Sequence, residues 1–239
     1  MSRLNEWFVP KFGPMKFRII VGLTFWPMTA MNVSFTIMGS MLAPVIYWDR
    51  VLVIALIYAL ALGVSAHALD ARYSKKVKPW GSILSNQQLE WLSTLPLLPV
   101  IALGIYIAQY SPLIVVIAIA EFFFLFAYNM ELFKGKFHND LWFALSWGML
   151  PLWAGFVAQT NGLYDTTGTP MGLVAFLLSY VEINASRPYK SIKRVEQAAR
   201  VFYEEKDAIF HITKYENILK GVVALTVVLT TFMVLIRAL

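Results

Sequence analysis

Long apolar stretches alternate with short polar segments along this chain. A membrane-spanning helix needs about 20 mostly apolar residues, and seven of these stretches come near that length. The pattern predicts an all-α fold, a polytopic transmembrane helical bundle of about seven spans. Pro27 predicts a kink in the first span, and Pro96 and Pro99 predict one in the third, because proline removes a backbone donor and clashes with the preceding turn. The predicted spans cover residues 19–46, 51–70, 89–109, 112–131, 140–158, 170–187 and 217–238.

Composition supports a membrane protein. Hydrophobic residues make up 59% of the chain and charged residues 14%, against about 45–50% and about 25% in soluble domains. The chain has no cysteine, which excludes disulfides and thiolate chemistry. Its net charge of +6 lies between the apolar stretches, a pattern that sets membrane orientation. We therefore expect no nucleic-acid partner.

The basic residues predict which side of the membrane each loop faces. If the N-terminus is cytoplasmic, only Arg50 and Arg237 of the 20 lysines and arginines fall outside, in agreement with the positive-inside rule. We expect a multi-pass protein of the cell membrane with its C-terminus outside. Helical periodicity over 193–216 predicts an amphipathic surface helix. The expected organisation is an interfacial segment at 1–18, one transmembrane domain at 19–239, and cytoplasmic loops at 71–88, 132–139 and 188–216.

Glu121 lies near the middle of the fourth predicted span. An ionisable group at that depth costs about 2.5–3.5 kcal/mol on insertion scales and is a functional candidate by default. Two interpretations stay open: a functional group facing a polar cavity, and a structural hydrogen bond to another helix. Three further polar residues follow towards the fifth span, Asn129, His138 and Asp140, of which Asp140 could instead begin the fifth helix.

The second, fourth and sixth spans all end on the cytoplasmic side in polar residues. His67 and Asp70 share a helix face at the end of the second span, Tyr128 ends the fourth, and Glu182 ends the sixth. A bundle could join these ends around one pocket with apolar walls and a charged mouth, which would suit an amphiphile with a hydrocarbon tail and an anionic head. Nearby cations would hold such a head, with a solvated basic face as the alternative: Arg72, Lys76, Arg187, Lys190 and Lys193.

Four stretches share the pattern of a known family. The first span contains FWPMTAMNVSFTIMGSMLAP, and the second ends in HALDARYSKKVKPWGS. The fourth and fifth are joined within AYNMELFKGKFHNDLWFALSWGMLPLWAGFVAQTNGL, and the sixth ends in YVEINASRPYKSIKR. Together they resemble the UbiA-type membrane prenyltransferases over roughly residues 18–235. The second and fourth stretches stand where that family has its two aspartate-rich motifs, and the third is similar to its tyrosine–lysine stretch. The family usually has nine spans, and seven are predicted here.

The resemblance implies a chemistry. In that family the two motifs hold magnesium ions that grip the diphosphate of a prenyl donor, and an acceptor attacks the allylic cation left by the departing diphosphate. Asp70 matches the central aspartate of the first motif, whereas His67 and Ser74 stand where the family has aspartates. The implied catalytic residues are Asp70, Glu182, Tyr128 and Lys134; the implied metal ligands are Asp70, His67, Glu182 and Glu131; and the implied diphosphate ligands are Arg72, Lys76, Arg187, Lys190 and Lys193.

The departures from the family motifs leave the metal open. Magnesium prefers several carboxylate or phosphate oxygens, and Glu182 is the only carboxylate of the second motif. His67 and His138, with Asp70 and Glu131, would suit a softer metal such as zinc, manganese or iron. Alternatively, the cations could hold an anionic head without any metal.

Three functions stay open. The first is an enzyme, a UbiA-like integral membrane prenyltransferase that moves an isoprenoid group from a prenyl diphosphate to a lipid-soluble acceptor, with magnesium as cofactor. Its partners would be the bilayer, the isoprenoid diphosphate and the lipophilic acceptor. The second is a non-catalytic UbiA-like membrane protein that binds an isoprenoid or quinone-type lipid or serves as a subunit of a membrane complex. The third is a small carrier that uses Glu121 as a proton or cation site.

Overall fold

The protein is described by a computed structural model that covers residues 3–74, 80, 83–162, 168–198 and 205–239. All regular structure in these residues is helical. A shorter apolar helix, Ile114–Asn129, accompanies five segments that are long and apolar enough to cross a membrane. The count of seven spans stays a prediction. The five segments are Met15–Met41, Trp48–Tyr73, Asn86–Tyr110, Asp140–Thr160 and Ile209–Ala238.

Two of these segments are interrupted where proline predicts it. Helix α1 (Met15–Leu23) and helix α2 (Trp26–Met41) are separated at Phe25, whose φ of 41° is left-handed. Pro27 sits in the first turn of α2, a position where its missing N–H costs nothing. The predicted kink in the first span is therefore a complete break. Pro96 stands at the junction of α5 (Asn86–Thr94) and α6 (Leu97–Tyr110), and Pro99 lies in the first turn of α6.

Two other segments contain a stretch of π-helix. Helix α3 (Trp48–Leu60) continues through π turns at Ala61–Ala66 into α4 (His67–Tyr73). In the same way, α8 (Asp140–Ala144) continues through π turns at Leu145–Met149 into α9 (Leu150–Thr160). Wide turns of this kind are rare and often mark functional sites. The hydrophobic pattern alone did not predict them.

Three helices complete the bundle, and the last two are the longest of those described. Helix α7 spans Ile114–Asn129. Helix α10 runs over Gly168–Ala198 and α11 over Glu205–Ala238. The range 193–216, predicted to form an amphipathic helix, is helical in its described parts, as the end of α10 and the beginning of α11. Residues 199–204 lie outside the described residues, and the cytoplasmic placement of 188–216 stays a prediction.

Helices α2 and α9 are in close backbone contact. A Cβ atom on Gly39 would collide with the carbonyl oxygen of Leu152, and one on Gly155 would collide with that of Thr36. The hydroxyl of Ser40 donates to the carbonyl oxygen of Gly155 at 3.2 Å. Small residues at a helix interface allow this close backbone approach within membranes. The contact fixes α2 in the middle of the bundle, where Phe35 is fully buried.

Arg50 and Arg237, the two basic residues predicted to lie outside, are both held by backbone carbonyl oxygens. Arg237 donates to the carbonyl oxygens of Ala43 and Pro44. Arg50 donates to the carbonyl oxygen of Ala158 at 3.3 Å, and its guanidinium lies 3.9 Å from the centre of the Tyr47 ring. Basic side chains favour helix carboxyl ends, whose last carbonyls lack partners. These contacts define one end of the bundle, here called the opposite end.

The other end of the bundle, here called the basic end, is where α4 ends and α5 begins. The N-terminal segment packs against it. Phe8 and Val9 are almost completely buried, and the indole of Trp26 donates to the carbonyl oxygen of Phe8 at 2.9 Å. Phe12 faces outward and is 73% exposed. The segment predicted at 1–18 therefore has one face against the bundle and another turned away, and its last residues already belong to α1.

Candidate functional site

A cavity of about 240 Å³ lies among α3, α6, α7 and α9, well inside the apolar part of the bundle. Its walls are apolar except for two polar side chains, Tyr58 of α3 and Glu121 of α7. We call this space the membrane cavity. Its described lining is Ile54, Ile57, Tyr58, Ala61, Leu62, Val100, Ile101, Gly104, Ile105, Ile107, Ala108, Ile114, Val115, Ile117, Ala118, Glu121, Phe122, Leu125 and Ala154.

The two polar side chains of the membrane cavity are paired. The hydroxyl of Tyr58 donates to Oε1 of Glu121 at 2.7 Å. The other carboxyl oxygen, Oε2, is buried and has no hydrogen-bond partner in the described part of the chain. Glu121 therefore makes a hydrogen bond to another helix, as the structural interpretation has it. The cavity it lines is apolar, whereas the functional interpretation expected a polar one. Sequence reasoning missed Tyr58, although it is the one polar residue in the run VLVIALIYALAL.

The membrane cavity reaches the side of the bundle. Ile101 and Ile105 of α6 are 49% and 59% exposed, and Val115 of α7 is 46% exposed. Between them, a Cβ atom added to Gly104 would meet nothing within 4 Å. These apolar groups would contact acyl chains in a bilayer. A hydrophobic molecule can therefore enter from the membrane without crossing the polar ends of the bundle.

A second group of polar residues meets at the basic end. Asp70 of α4, together with Glu182 and Arg187 of α10, lies within electrostatic range of Tyr128 of α7. We call these four residues the basic-end cluster. The ends of the second, fourth and sixth predicted spans do come together there. The cavity beside Glu182 is small, about 10 Å³, and Asp70 does not line it. A shared pocket between Asp70 and Glu182 stays a prediction.

Two side chains near the basic-end cluster have buried polar atoms without a partner among the described residues. Oε2 of Glu182 is one, and Glu182 is only 2% exposed. Nε2 of His67 is the other. The His67 ring lies 5.2 Å from that of Trp147, which belongs to the second π stretch. Lys190 acts electrostatically on both His67 and Glu182, so its charge offsets that of a buried carboxylate.

Most of the cations expected to bind a diphosphate already have an acidic partner. Arg72 is paired with Glu90 at 3.0 Å. Likewise, Arg187 is paired with Asp140 at 2.6 Å, and Lys193 with Glu6 at 3.0 Å. Lys76 lies outside the described residues. The structure therefore offers an anionic head fewer uncommitted charges than the sequence suggests.

The turn between α7 and α8 has a strained backbone. Glu131, Phe133 and Lys134 all have a left-handed φ, between 49° and 59°. Non-glycine residues rarely adopt this conformation, and such strain clusters at functional sites. Lys134 is exposed, and no described contact turns it towards the cluster.

The other polar residues predicted in this region have structural partners. The amide of Asn129 donates to the carbonyl oxygen of Leu125 at 2.8 Å. The ring of His138 stacks on that of Tyr128 at 4.5 Å, and its Nδ1 lies 3.0 Å from the Tyr128 carbonyl oxygen. Asp140 begins α8 directly after the capping residue Asn139. This agrees with the alternative interpretation, in which Asp140 begins the fifth predicted helix.

The predicted metal ligands do not form a metal site by themselves. In the described ranges, no three or more histidine, cysteine, aspartate or glutamate side chains are close enough to hold one ion. Magnesium needs several oxygen ligands, which carboxylates and substrate phosphates share. Magnesium therefore stays a prediction.

Asn32 is a buried polar residue that the sequence did not single out. It lies in the middle of α2, is fully buried, and neither its amide nitrogen nor its oxygen has a hydrogen-bond partner in the described ranges. Its position within the run MTAMNVSFT could have identified it as an amide at membrane depth.

The chain was compared with protein-family models, curated proteins and solved structures, and none of the three comparisons gave a match. The resemblance to the UbiA-type family accordingly stays a prediction.

Proposed function

We propose that this protein binds an isoprenoid or quinone-type lipid in the membrane cavity. The observation that carries the proposal is an apolar space with a side opening and a single polar pair, Tyr58 and Glu121. Binding sites for small molecules are mostly apolar with a few fixed polar groups that orient the ligand. A lipid with a polar head and a hydrocarbon tail fits that description.

The size of the membrane cavity limits how much of the lipid it encloses. Its volume of about 240 Å³ is below the roughly 300–1,000 Å³ typical of sites that enclose a drug-sized ligand. The head and the first units of the tail would occupy the cavity. The rest of the tail would leave past Ile101 and Ile105 into the bilayer.

Filling the membrane cavity tests the proposal. The variant Gly104→Trp places a large side chain in the opening, where a Cβ atom has no neighbour within 4 Å. Gly221→Trp is the matched control, because Gly221 of α11 is equally unobstructed and lies outside the lining. Each protein would be purified from membranes, and its bound lipids identified by mass spectrometry.

We expect an isoprenoid or quinone-type lipid with the wild-type protein and with Gly221→Trp, and its loss from Gly104→Trp. Equal retention by all three proteins would show that the lipid binds elsewhere. Retention of ordinary phospholipids alone would contradict the proposal.

Prenyl transfer at the basic-end cluster is a second candidate. It is favoured by the meeting of Asp70, Glu182 and Arg187 around Tyr128, and by the strained turn that follows α7. The reaction would move the isoprenoid group of a prenyl diphosphate to a lipid-soluble acceptor and release diphosphate. Lys190 acts electrostatically on Glu182 and would attract the anionic head, whereas Arg187 would have to exchange its pairing with Asp140 for it.

Membranes containing the protein, given a prenyl diphosphate, a lipophilic acceptor and a divalent metal, would test this candidate. Asp70→Asn and Glu182→Gln should abolish product formation, and Glu90→Gln at an exposed ion pair should not. Full activity in both cluster variants, or no product from the wild type, would rule prenyl transfer out.

A further inference from the structure

The second carboxyl oxygen of Glu121 identifies the chemistry that the membrane cavity can recognise. Oε1 accepts the hydrogen bond of Tyr58 at 2.7 Å. Oε2 is buried and has no partner in the part of the chain that the structure describes. Buried polar atoms in native proteins almost always have a partner. Because Glu121 belongs to the lining of the membrane cavity, a ligand atom in that cavity is the natural group to complete the hydrogen bonding of this oxygen.

The surroundings determine whether that oxygen donates or accepts. Among the described residues that line the membrane cavity, none is cationic, and Tyr58 is the only other polar side chain. An ionised carboxylate without a cation is costly in such surroundings, so we expect the neutral acid. A neutral acid has one O–H donor. Because Oε1 accepts from Tyr58, the proton belongs on Oε2.

Resting on the proposed function, we infer that Glu121 donates from Oε2 to a carbonyl oxygen of the bound lipid, so that the ligand is quinone-type. A carbonyl oxygen accepts this bond and brings no donor of its own. The hydroxyl of an isoprenoid alcohol could accept it too, but its own proton would then need an acceptor. For that proton the described lining offers only the oxygens of Tyr58 and Glu121, which already share a hydrogen bond. A diphosphate would find no cation among the described lining residues.

The side opening gives such a ligand its path. Gly104 leaves space beside α6, and the exposed Ile105 and Val115 border it. The head would enter first and stop at Glu121, one of the two polar groups of the lining. The Tyr58 bond holds the carboxyl group in place, so little side-chain freedom is lost on binding.

Binding of three probes tests the inference: a quinone, an alcohol and a diphosphate that carry the same isoprenoid chain. Affinities would be measured for the purified wild-type protein and for Glu121→Gln and Glu121→Leu. The amide of Glu121→Gln can still accept from Tyr58 and donate to a carbonyl, whereas the side chain of Glu121→Leu can do neither.

We expect the wild-type protein to bind the quinone about ten-fold more tightly than the alcohol, and to bind the diphosphate worst. Glu121→Gln should keep most of the quinone affinity, and Glu121→Leu should lose about ten-fold or more.

Equal wild-type affinities for quinone and alcohol would overturn the carbonyl assignment and leave lipid binding standing. A loss in Glu121→Gln as large as in Glu121→Leu would show that a charge is required, and would also overturn it. If no probe binds the wild type, the proposed function itself fails. The comparison of probes on the wild type decides the matter even if Glu121→Leu does not fold.

Discussion

The hydroxyl of Tyr189 donates a 2.7 Å hydrogen bond to the carboxylate of Glu6, which is 183 positions away in the chain. Lys193 donates to the same carboxylate oxygen at 3.0 Å and to the Tyr189 hydroxyl at 2.7 Å. Glu6 is only 6% exposed. These three side chains hold the N-terminal segment against α10. The segment thereby stays packed against the basic end.

Removing the charge of Glu6 should destabilise the protein. In Glu6→Gln, the amide oxygen still accepts from Tyr189, but Lys193 keeps a largely buried charge without its counter-ion. Breaking a buried ion pair on one side costs about 3–5 kcal/mol, and we expect about 1–3 kcal/mol because Lys193 keeps 19% of its side-chain surface exposed. Thermal unfolding in detergent would measure the loss.

The exposed pair of Arg72 and Glu90 supplies the control for Glu6. Surface ion pairs contribute about 0–1 kcal/mol, so Glu90→Gln should shift the melting temperature by less than Glu6→Gln does. If the two variants have the same melting temperature, Glu6 does not hold the N-terminal segment in place.

Tyr189 should make stability depend on alkaline pH. Burial, and then the hydrogen bond to Glu6, raise the pKa of Tyr189 above the ordinary value for tyrosine, which is about 10. The folded state therefore holds this proton when the unfolded state has released it. The stabilisation is fully present below about pH 10 and decreases as the pH rises further.

The variant Tyr189→Phe removes this titrating group. Its unfolding free energy should fall less steeply above about pH 10 than that of the wild type, whereas Tyr180→Phe, at a tyrosine that is 36% exposed, should keep the wild-type slope. Denaturation at several pH values would measure these slopes. Parallel curves for wild type and Tyr189→Phe would refute the assignment.

The contact between α2 and α9 should tolerate no added atom at its glycines. In Gly155→Ala, the new methyl group would collide with the carbonyl oxygen of Thr36, and a backbone cannot move as a flexible side chain can. Forcing a group into a packed core costs about 1–3 kcal/mol, and sometimes more. We expect a lower melting temperature or a loss of folded protein, measured by thermal unfolding and by gel filtration in detergent.

Gly221→Ala provides the comparison, because its Cβ atom would meet nothing within 4 Å. Alanine is also the better helix former by about 1 kcal/mol, so this variant should be neutral or slightly more stable. Equal stability of Gly155→Ala and the wild type would mean that α2 and α9 are not in such close contact.

The apolar pattern predicted an all-helical bundle, and Pro27 predicted a kink in the first span, because both depend on local properties of the sequence. Glu121 could be identified in the same way, since a carboxyl group at membrane depth is unusual by itself. Its partner Tyr58 is 63 positions away, and no spacing rule connects residues on different helices.

The cations at the basic end show the same limit. In the sequence, Arg72, Arg187 and Lys193 are three positive charges available to a ligand. In the structure, each of them is paired with an acidic residue far from it in the chain. Such pairing depends on how the helices are arranged. The sequence therefore overestimated the positive charge available to an anionic head.

The orientation of the bundle can be tested directly, because the chain has no cysteine. Pro112 lies at the opposite end, close to Leu113, whose N–H bonds to Asn161. Lys136 lies in the turn between α7 and α8 at the basic end. Both are exposed, so Pro112→Cys and Lys136→Cys would each carry one accessible thiol.

The positive-inside rule places the basic end in the cytoplasm. A membrane-impermeant maleimide should therefore label Pro112→Cys in intact cells, and label Lys136→Cys only after the cells are permeabilised. The cysteine-free wild type is the background control. The reverse pattern would place the N-terminus outside, and it would mean that Arg50 and Arg237, held by carbonyl oxygens at helix ends, lie on the cytoplasmic side. Labelling of both positions in intact cells would show that the chain does not separate the two ends across a membrane.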